Sequence, residues 1–365
     1  MVGSPVKYVA VTIAAILVVV LLLQYGISPQ KTVATTSTRP IAATPSPQFD
    51  TLFAQYGPGW TGGDGTYSLQ LPNGSTLWMF SDSYIGTVNP TTDMRSSYLF
   101  NVHNALALVD KGLTTFTTVY RSGTSVQSPG PYFATSNSSE WYWINAGIVT
   151  PNQSEIKILL TEWTGNYHFL GDSIATLSLP SLNIVSIQPL NLTPAVEWTY
   201  MLQNGTTVYI YGTEDDGLAG KYVHVAKTSV YNLSNTADWT FWNGSGWAPG
   251  QSNSARDSTY NISNGFSVSR FGNEYVLVGL SGVAFSGTIV TLTSPTPEGP
   301  WSNETTVYQI PGNGENGLIA YGPLAHPEFM SNGSVLVSYN VNNVNSSKLT
   351  NASNYRARFI WVPVP

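Results

Sequence analysis

The 365-residue chain is 42% hydrophobic and 12% aromatic, enough to bury one large core or two ordinary ones. Charged residues make up only 9%, the formal net charge is -6, and the 14 Lys plus Arg form no basic stripe, which argues against nucleic acid as a partner. With no cysteine there is no disulfide, so the fold must rest on its core alone.

At the N-terminus, "YVAVTIAAILVVVLLLQYGI" (Tyr8 to Ile27) is uncharged, almost wholly apolar and about as long as a bilayer core demands. It ends in bulky Leu23, Gln24 and Tyr25, where a cleaved signal peptide needs small residues, so residues 1–27 read as an uncleaved anchor, with secretion after cleavage as the rival. Residues 28–49 are Thr/Ser/Pro-rich and aperiodic, the composition of an extended stalk. An extracellular location also suits the Asn-x-Ser/Thr sequons at Asn73, Asn137, Asn152, Asn191, Asn204, Asn232, Asn243, Asn261, Asn303, Asn332, Asn345 and Asn351. An Asn/Ser/Thr-rich chain also generates such triplets by chance.

From residue 50 onward no helical periodicity is found. Strands alternate with Gly, Pro and Asn punctuation, and one unit recurs: a strand, a turn, then a second strand rich in aromatic and β-branched residues. It appears as "TYSLQLPNGSTLWMFSD", "WYWINAGIVTPNQSEIKILLTE", "EWTYMLQNGTTVYIYGTED", "GFSVSRFGNEYVLVGLSG" and "HPEFMSNGSVLVSYNVN". Third strands follow as "HNALALV", "DSIATLSL", "KYVHVAK", "GTIVTLTS" and "RARFIWVPV". Five such units predict an all-β five-bladed β-propeller over residues 50–365, preceded by one transmembrane helix. A series of Ig-like sandwiches is the competing architecture, but no linkers separate the units.

In a propeller the starts of the inner strands and the ends of the second strands emerge on one face. That face would carry Asp64, Trp141, Glu197, Asn264 and His326 at inner-strand starts. Asp82, Glu162, Glu214, Asp215 and Asn340 would join them from second-strand ends, with His103, Asn104, Lys221 and His224 nearby. One channel mouth is therefore expected to be acidic and aromatic.

The stretch "GWTGGDGTYSLQLPNGSTLWMFSDSYIGTV", then "VHNALALV", "YIYGTEDDGLAGKYVHVAK", "SPTPEGPW", "LAHPEF", "LVSYNVN" and "YRARFI", resembles a secreted propeller family of largely unknown function. That family is related to endo-D-arabinanase-type hydrolases and, more distantly, to glycoside hydrolase families 43 and 32. The resemblance spans residues 50 to 365. It implies a first-blade base or nucleophile at Asp64, a companion carboxylate at Asp82, and an acid from a middle blade, with Glu214 and Glu197 as candidates and Asp215 behind them. His326 and Glu328 fall on the fifth blade.

Glycoside hydrolysis needs two carboxyl groups, one protonated and one ionised, in environments that push their pKa values apart. The leading catalytic residues are thus Asp64, Asp82 and Glu214. Candidate sugar-binding residues are His103, Asn104, Trp141, Glu197, Asp215, His326, Glu328 and Asn340, with Trp60, Trp163 and Trp198 as further stacking surfaces. Each has a plainer reading: Asp64 as a turn acceptor among glycines, Asp82 as a strand end, the histidines as satisfied core groups, the tryptophans as packing between blades. "TEDDG" would suit calcium by its oxygen ligands, but its spacing matches no complete loop, and no cofactor is assigned. No serine-hydrolase elbow, zinc-protease helix or phosphate loop occurs. The expected function is an extracellular, membrane-anchored glycosidase acting on a polysaccharide or surface glycan. A non-catalytic carbohydrate-binding or adhesion propeller is the alternative, and a surface-layer component a third. Low surface charge further suggests an acidic medium, in which carboxylates supply no dependable charge.

Overall fold

The structure, a computed structural model, describes residues 43–96, 100–216, 221–263, 265–282 and 284–365. The apolar segment Tyr8 to Ile27, most of the expected stalk and Asn264 lie outside the described residues. Among the described residues no helix is long and apolar enough to cross a membrane.

Five antiparallel meanders make up most of the fold. In chain order the first contains Tyr67–Gln70, Thr76–Phe80, Ala105–Val109 and Phe116–Val119, and the second Glu140–Val149, Glu155–Thr164, His168–Ser178 and Ile184–Pro189. The third runs through Glu197–Asn204, Thr207–Asp215 and Lys221–Ser229 to two short outer strands. Ser267–Phe271, Glu274–Leu280, Thr288–Ser294 and Ser302–Gln309 form the fourth, and Leu318–Ser331, Ser334–Asn343 and Arg358–Pro363 the core of the fifth. The leading strands of the five sheets pack side by side in chain order, and that of the fifth returns to pack against Tyr67–Gln70, so the sheets follow one another in a ring.

Burial explains why the sequence showed the inner hairpins so clearly. Thr76–Phe80 is buried at every position and Glu274–Leu280 at every position after Glu274. Both faces of such strands are covered by neighbouring sheets, so they read as continuous apolar runs without polar alternation. Outer strands such as Ile184–Pro189 and Ser302–Gln309 are largely uncovered, and no patterned run marks them. At Asn332 and Gly333 both φ angles are positive, 50° and 72°, between the paired residues Ser331 and Ser334. A two-residue turn of that hand matches the twist of its strands, and Asn-Gly is its preferred sequence.

The expected stalk boundary at residue 49 needs correction. Thr44–Pro45 pairs with Trp361 and Ile360 as the outermost strand of the fifth sheet, and Pro47–Phe53 is a short helix. From it, Phe53 meets Phe359 at 4.6 Å and Trp78 at 4.7 Å between ring centroids, while Phe49 meets Phe329 at 5.0 Å. Thr/Pro-rich composition hid a two-residue strand that has no period to show. A separate three-stranded sheet, Gly59–Gly63, Ser83–Gly86 and Phe100–Val102, flanks the first meander and carries the chain into Asp64.

Candidate active site

Asp64 follows the strand Gly59–Gly63 and remains in its ladder: its N–H donates to the Asp82 carbonyl at 3.1 Å, and its own carbonyl accepts from the Ser81 N–H at 2.8 Å. The surrounding glycines are required by close approach. A methyl group at Gly62 would strike the Tyr355 carbonyl and the Arg95 guanidinium, and one at Gly63 would meet the Asp82 carbonyl and Ser83 Oγ. Gly65, at φ +61°, turns the chain into Tyr67–Gln70. The glycine cluster thus packs Asp64 into a seam that joins the first sheet to the fifth.

Two tyrosines close on the carboxylate, one from the strand Leu318–Ser331 and one from the loop that joins Ser334–Asn343 to Arg358–Pro363 within the fifth sheet. Tyr321 donates its hydroxyl to Asp64 Oδ2 at 2.7 Å, and Tyr355 donates to the same oxygen at 2.9 Å. The Tyr355 hydroxyl also lies 3.3 Å from the Asp82 carbonyl oxygen. Burial, followed by the charge of Asp82, pushes the Asp64 carboxyl up to about 7, against the pull of the two hydroxyls and the Asp82 backbone. Among the described residues no hydrogen bond reaches its other oxygen, Oδ1, which is the one left to a ligand.

Asp82 faces the second sheet. Its Oδ1 accepts the indole N–H of Trp143 at 3.0 Å and lies 2.9 Å from His103 Nδ1, which donates in the tautomer protonated there. His103 stacks on Trp141 at 4.8 Å and 20°. Trp163 meets Trp143 at 4.8 Å, and Tyr167 packs on Trp141 and Trp143 at 5.6 and 5.9 Å. Burial and the charges of Asp82 and Asp64 push the Tyr167 hydroxyl up to about 12, so Tyr167 belongs to the same surface. It sits in the turn after Thr164 with φ 56°, next to Asn166 at φ 68°. A bulky residue in that region is strained, and such strain gathers at working sites. Together these residues form an aromatic wall beside two acids.

Several residues expected on this face have other employment. Asn104 is fully buried and its amide is committed: it donates to the Phe133 and Tyr142 carbonyls, each at 2.9 Å, and accepts from the Phe133 N–H at 2.7 Å. His326 is fully buried between Ser68 Oγ at 2.6 Å and Ser338 Oγ at 2.9 Å, and burial pushes its ring down to about 3. It is a neutral core histidine. Asn340 is buried, accepts from Thr66 Oγ1 at 2.9 Å and donates to the Gly322 carbonyl. Trp60 and Trp198 are buried in the core and offer no face to a sugar.

The middle-blade acids separate. Glu214 Oε2 lies 3.1 Å from His224 Nε2, whose other nitrogen meets Ser254 Oγ at 2.8 Å. Asp215 pairs with Lys221 and Asp216 with Arg256, so the carboxylates of "TEDDG" diverge to separate partners. Among the described residues no group of three or more His, Asp or Glu side chains converges as metal ligands. No hydrogen bond among the described residues joins Glu214 to Asp64 or Asp82. Glu197 is half-buried and opens the third sheet. Its charge adds to burial in raising both Tyr67 and the buried Asp172. Glu328 lies further along Leu318–Ser331, with Oε1 buried and without a partner, and burial raises its carboxyl.

Asp64, Asp82, His103 and Trp141 are therefore brought together, and the sequence reading missed Trp143, Tyr167, Tyr321 and Tyr355. Trp143 was within reach, one period-2 step from Trp141 on the same strand face. The tyrosines were not, since Tyr321 and Tyr355 lie 257 and 291 positions from Asp64.

Residues 46–363 match the family described as a domain of unknown function, DUF5005. The chain belongs to the DUF5005 family. No curated protein matches this DUF5005 chain. Among solved structures it is similar to a protein from Bacteroides ovatus provisionally described as a hydrolase, at 17% identity and a TM-score of 0.70, over 92% of this chain and 96% of the other. It is also similar to an exo-β-1,3-galactanase from Phanerochaete chrysosporium solved with β-1,3-galactotriose, at 12% identity and 0.51, over 85% and 64%. A family 43 β-1,3-galactosidase solved with galactodeoxynojirimycin matches at 11% identity and 0.50, over 85% and 94%. At these identities the likeness is one of fold, and the DUF5005 chain is all-β and similar to the propellers of family 43 glycoside hydrolases.

Proposed function

We propose that this DUF5005 chain is a five-bladed β-propeller glycoside hydrolase that acts on a neutral glycan at the Asp64–Asp82 site. The observation that carries this reading is a pair of adjacent carboxylates in different surroundings, Asp64 buried under two tyrosine hydroxyls and Asp82 facing Trp143 and His103. Asp64 is pushed up to about 7 by burial and by Asp82, so it holds or releases a proton near neutrality. Asp82 is held by the N–H groups of Trp143 and His103, both directed at one oxygen. Asp64 then serves as the proton-exchanging group at the glycosidic oxygen, and Asp82 as the charged partner that stabilises positive charge developing on the sugar ring.

This reverses the emphasis of the family resemblance, which placed a base or nucleophile at Asp64. The environment that raises Asp64 is the one a general acid needs. Trp141, Trp143, Trp163 and Tyr167 supply apolar faces on which sugar C–H groups stack. Among the described residues no lysine or arginine forms an ion pair with Asp64 or Asp82, and the ring nitrogen beside Asp82 is that of His103. An anionic sugar would be repelled by the Asp82 charge that also acts on Asp64. The likeness of fold to galactan-cleaving enzymes supports the same class of substrate.

Export and a membrane anchor through Tyr8 to Ile27 belong to the same proposal, supported by the apolar run and the sequons. Incubation with a panel of neutral and uronic-acid oligosaccharides, read by chromatography of released sugars, tests the activity. Cleavage confined to neutral members is expected. If the whole panel survives while neutral members still bind, the non-catalytic carbohydrate-binding reading replaces this one.

A further inference from the structure

The seam behind Asp64 contains two buried arginines that the proposed chemistry does not use. Arg95 is 8% exposed and Arg356 4%. Burying guanidinium groups is costly unless their hydrogen bonds are satisfied, and here five of seven are directed at one loop and the strand leading to Asp64, the other two reaching Gln55 and Asp93. Arg95 donates through Nε to the Leu349 carbonyl at 3.1 Å, through Nη1 to Thr61 Oγ1 at 2.6 Å, and through Nη2 to the carbonyls of Tyr355 at 3.3 Å and Ala352 at 3.5 Å. Its guanidinium also lies over the Tyr84 ring, 4.4 Å from the centroid.

Arg356 donates to the carbonyls of Thr61 and Gln55 at 3.1 and 2.6 Å, and to Asp93 Oδ1 at 2.8 Å. Asp93 completes the clasp with its other oxygen, which accepts the Ser353 N–H at 2.9 Å, while its carbonyl accepts the Ala352 N–H at 2.8 Å. Thr61 thus receives one arginine on its hydroxyl and the other on its carbonyl, three residues before Asp64. Tyr355 lies between Ala352 and Arg356, both gripped by the clasp.

We propose that Asp93, Arg95 and Arg356 are positioning residues for Asp64: they fix the 345–356 loop against Thr61 so that the Tyr355 hydroxyl stays on the Asp64 carboxylate. The inference rests on the reading of Asp64 as the reacting group. The ring of sheets closes between its fifth and first members, and this clasp makes that closure and the site one structure. If the clasp opens, Tyr355 withdraws while Tyr321, on the strand Leu318–Ser331, remains. The titratable groups that then face Asp64 are Asp82, Tyr84, Tyr167 and Tyr321; of these Asp82 and Tyr321 act on its charge, while Tyr84 and Tyr167 are themselves raised by it.

The test is a titration of the Asp64 carboxyl by carbon-13 NMR on the full chain without substrate, its signal assigned by loss in Asp64→Asn. Asp93→Asn, Arg95→Lys and Arg356→Lys are compared with wild type and with Tyr355→Phe, and the melting temperature of each is recorded. Arg95→Lys is the mild variant that keeps the charge if Asp93→Asn does not fold. The expected result is an upward shift of the Asp64 midpoint in the clasp variants, in the direction of Tyr355→Phe and by about half a pH unit to one unit, since a donor to the ionised form is lost. A lower melting temperature with the Asp64 midpoint unchanged would overturn the proposal and leave the clasp a purely structural closure. Because no substrate is present, a shifted midpoint supports the clasp even if no glycan is cleaved, an outcome that would overturn only the proposed activity.

Discussion

Tyr355 donates its hydroxyl to Asp64 across 291 positions of sequence, at 2.9 Å, and the same hydroxyl lies 3.3 Å from the Asp82 carbonyl. One phenol therefore touches both acidic residues of the candidate site, and with Tyr321 it favours the ionised form of Asp64 against the larger effects of burial and the Asp82 charge. Hydrogen bonds to a charged group contribute about 1.5–3 kcal/mol. Tyr321→Phe, which removes the shorter of the two bonds, is predicted to raise the Asp64 carboxyl further and so move the upper, alkaline limb of the pH–activity profile upward. A profile unchanged from wild type would show that the bond does not act on the reacting form.

Asp64 also predicts a pH dependence of stability. Its folded pKa, about 7, is raised above the ordinary 3.8, so the folded state holds the proton more tightly than the unfolded chain does. Stability from this group is full below the unfolded value and is lost as pH rises from there through about 7, with a slope on the order of 1.4 kcal/mol per pH unit between the two values. Asp64→Asn, which cannot ionise, should therefore melt higher than wild type at pH 8 and close to it at pH 3.5. Equal melting temperatures at pH 8 would contradict the raised value.

Trp143 holds Asp82 through its indole N–H. Trp143→Phe keeps an aromatic ring in the wall but deletes that donor, and activity is expected to fall about 10- to 100-fold at unchanged fold. The fall should appear in kcat more than in KM, since the stacking surface persists. A loss confined to KM would instead make Trp143 a sugar platform.

The N-terminal segment makes a separate prediction. Phe49, the last residue of the expected stalk, is buried among Phe329, Phe359 and Trp361. Phe49→Ala should cost about 3–5 kcal/mol in chemical denaturation, whereas a stalk residue would cost nothing measurable.

How much of this was legible follows from where each signal lies. The inner hairpins were readable because runs such as Leu77 to Phe80 are covered on both faces, while outer strands such as Ser302–Gln309 face solvent and carry no pattern. Asp64 was readable because close packing forced glycines around it. The scarcity of histidine drew attention equally to His103 and His326, yet one stacks beside Asp82 and the other is sealed between two serines. Tyr321 and Tyr355 are two of 21 tyrosines, and only the closing of the ring singles them out. Residue type announced the acids; the tyrosines that hold Asp64 came from distant parts of the chain.

The most direct test of the account is the rate of glycan cleavage by wild type and by Asp64→Asn, measured on the neutral oligosaccharide that wild type cleaves best, with binding of the same sugar followed by tryptophan fluorescence. Loss of the proton-exchanging group predicts a fall of about 100- to 10,000-fold in kcat with binding retained. An Asp64→Asn variant that cleaves as fast as wild type would contradict the account, because the carboxyl that Tyr321 and Tyr355 hold would then have no part in the chemistry.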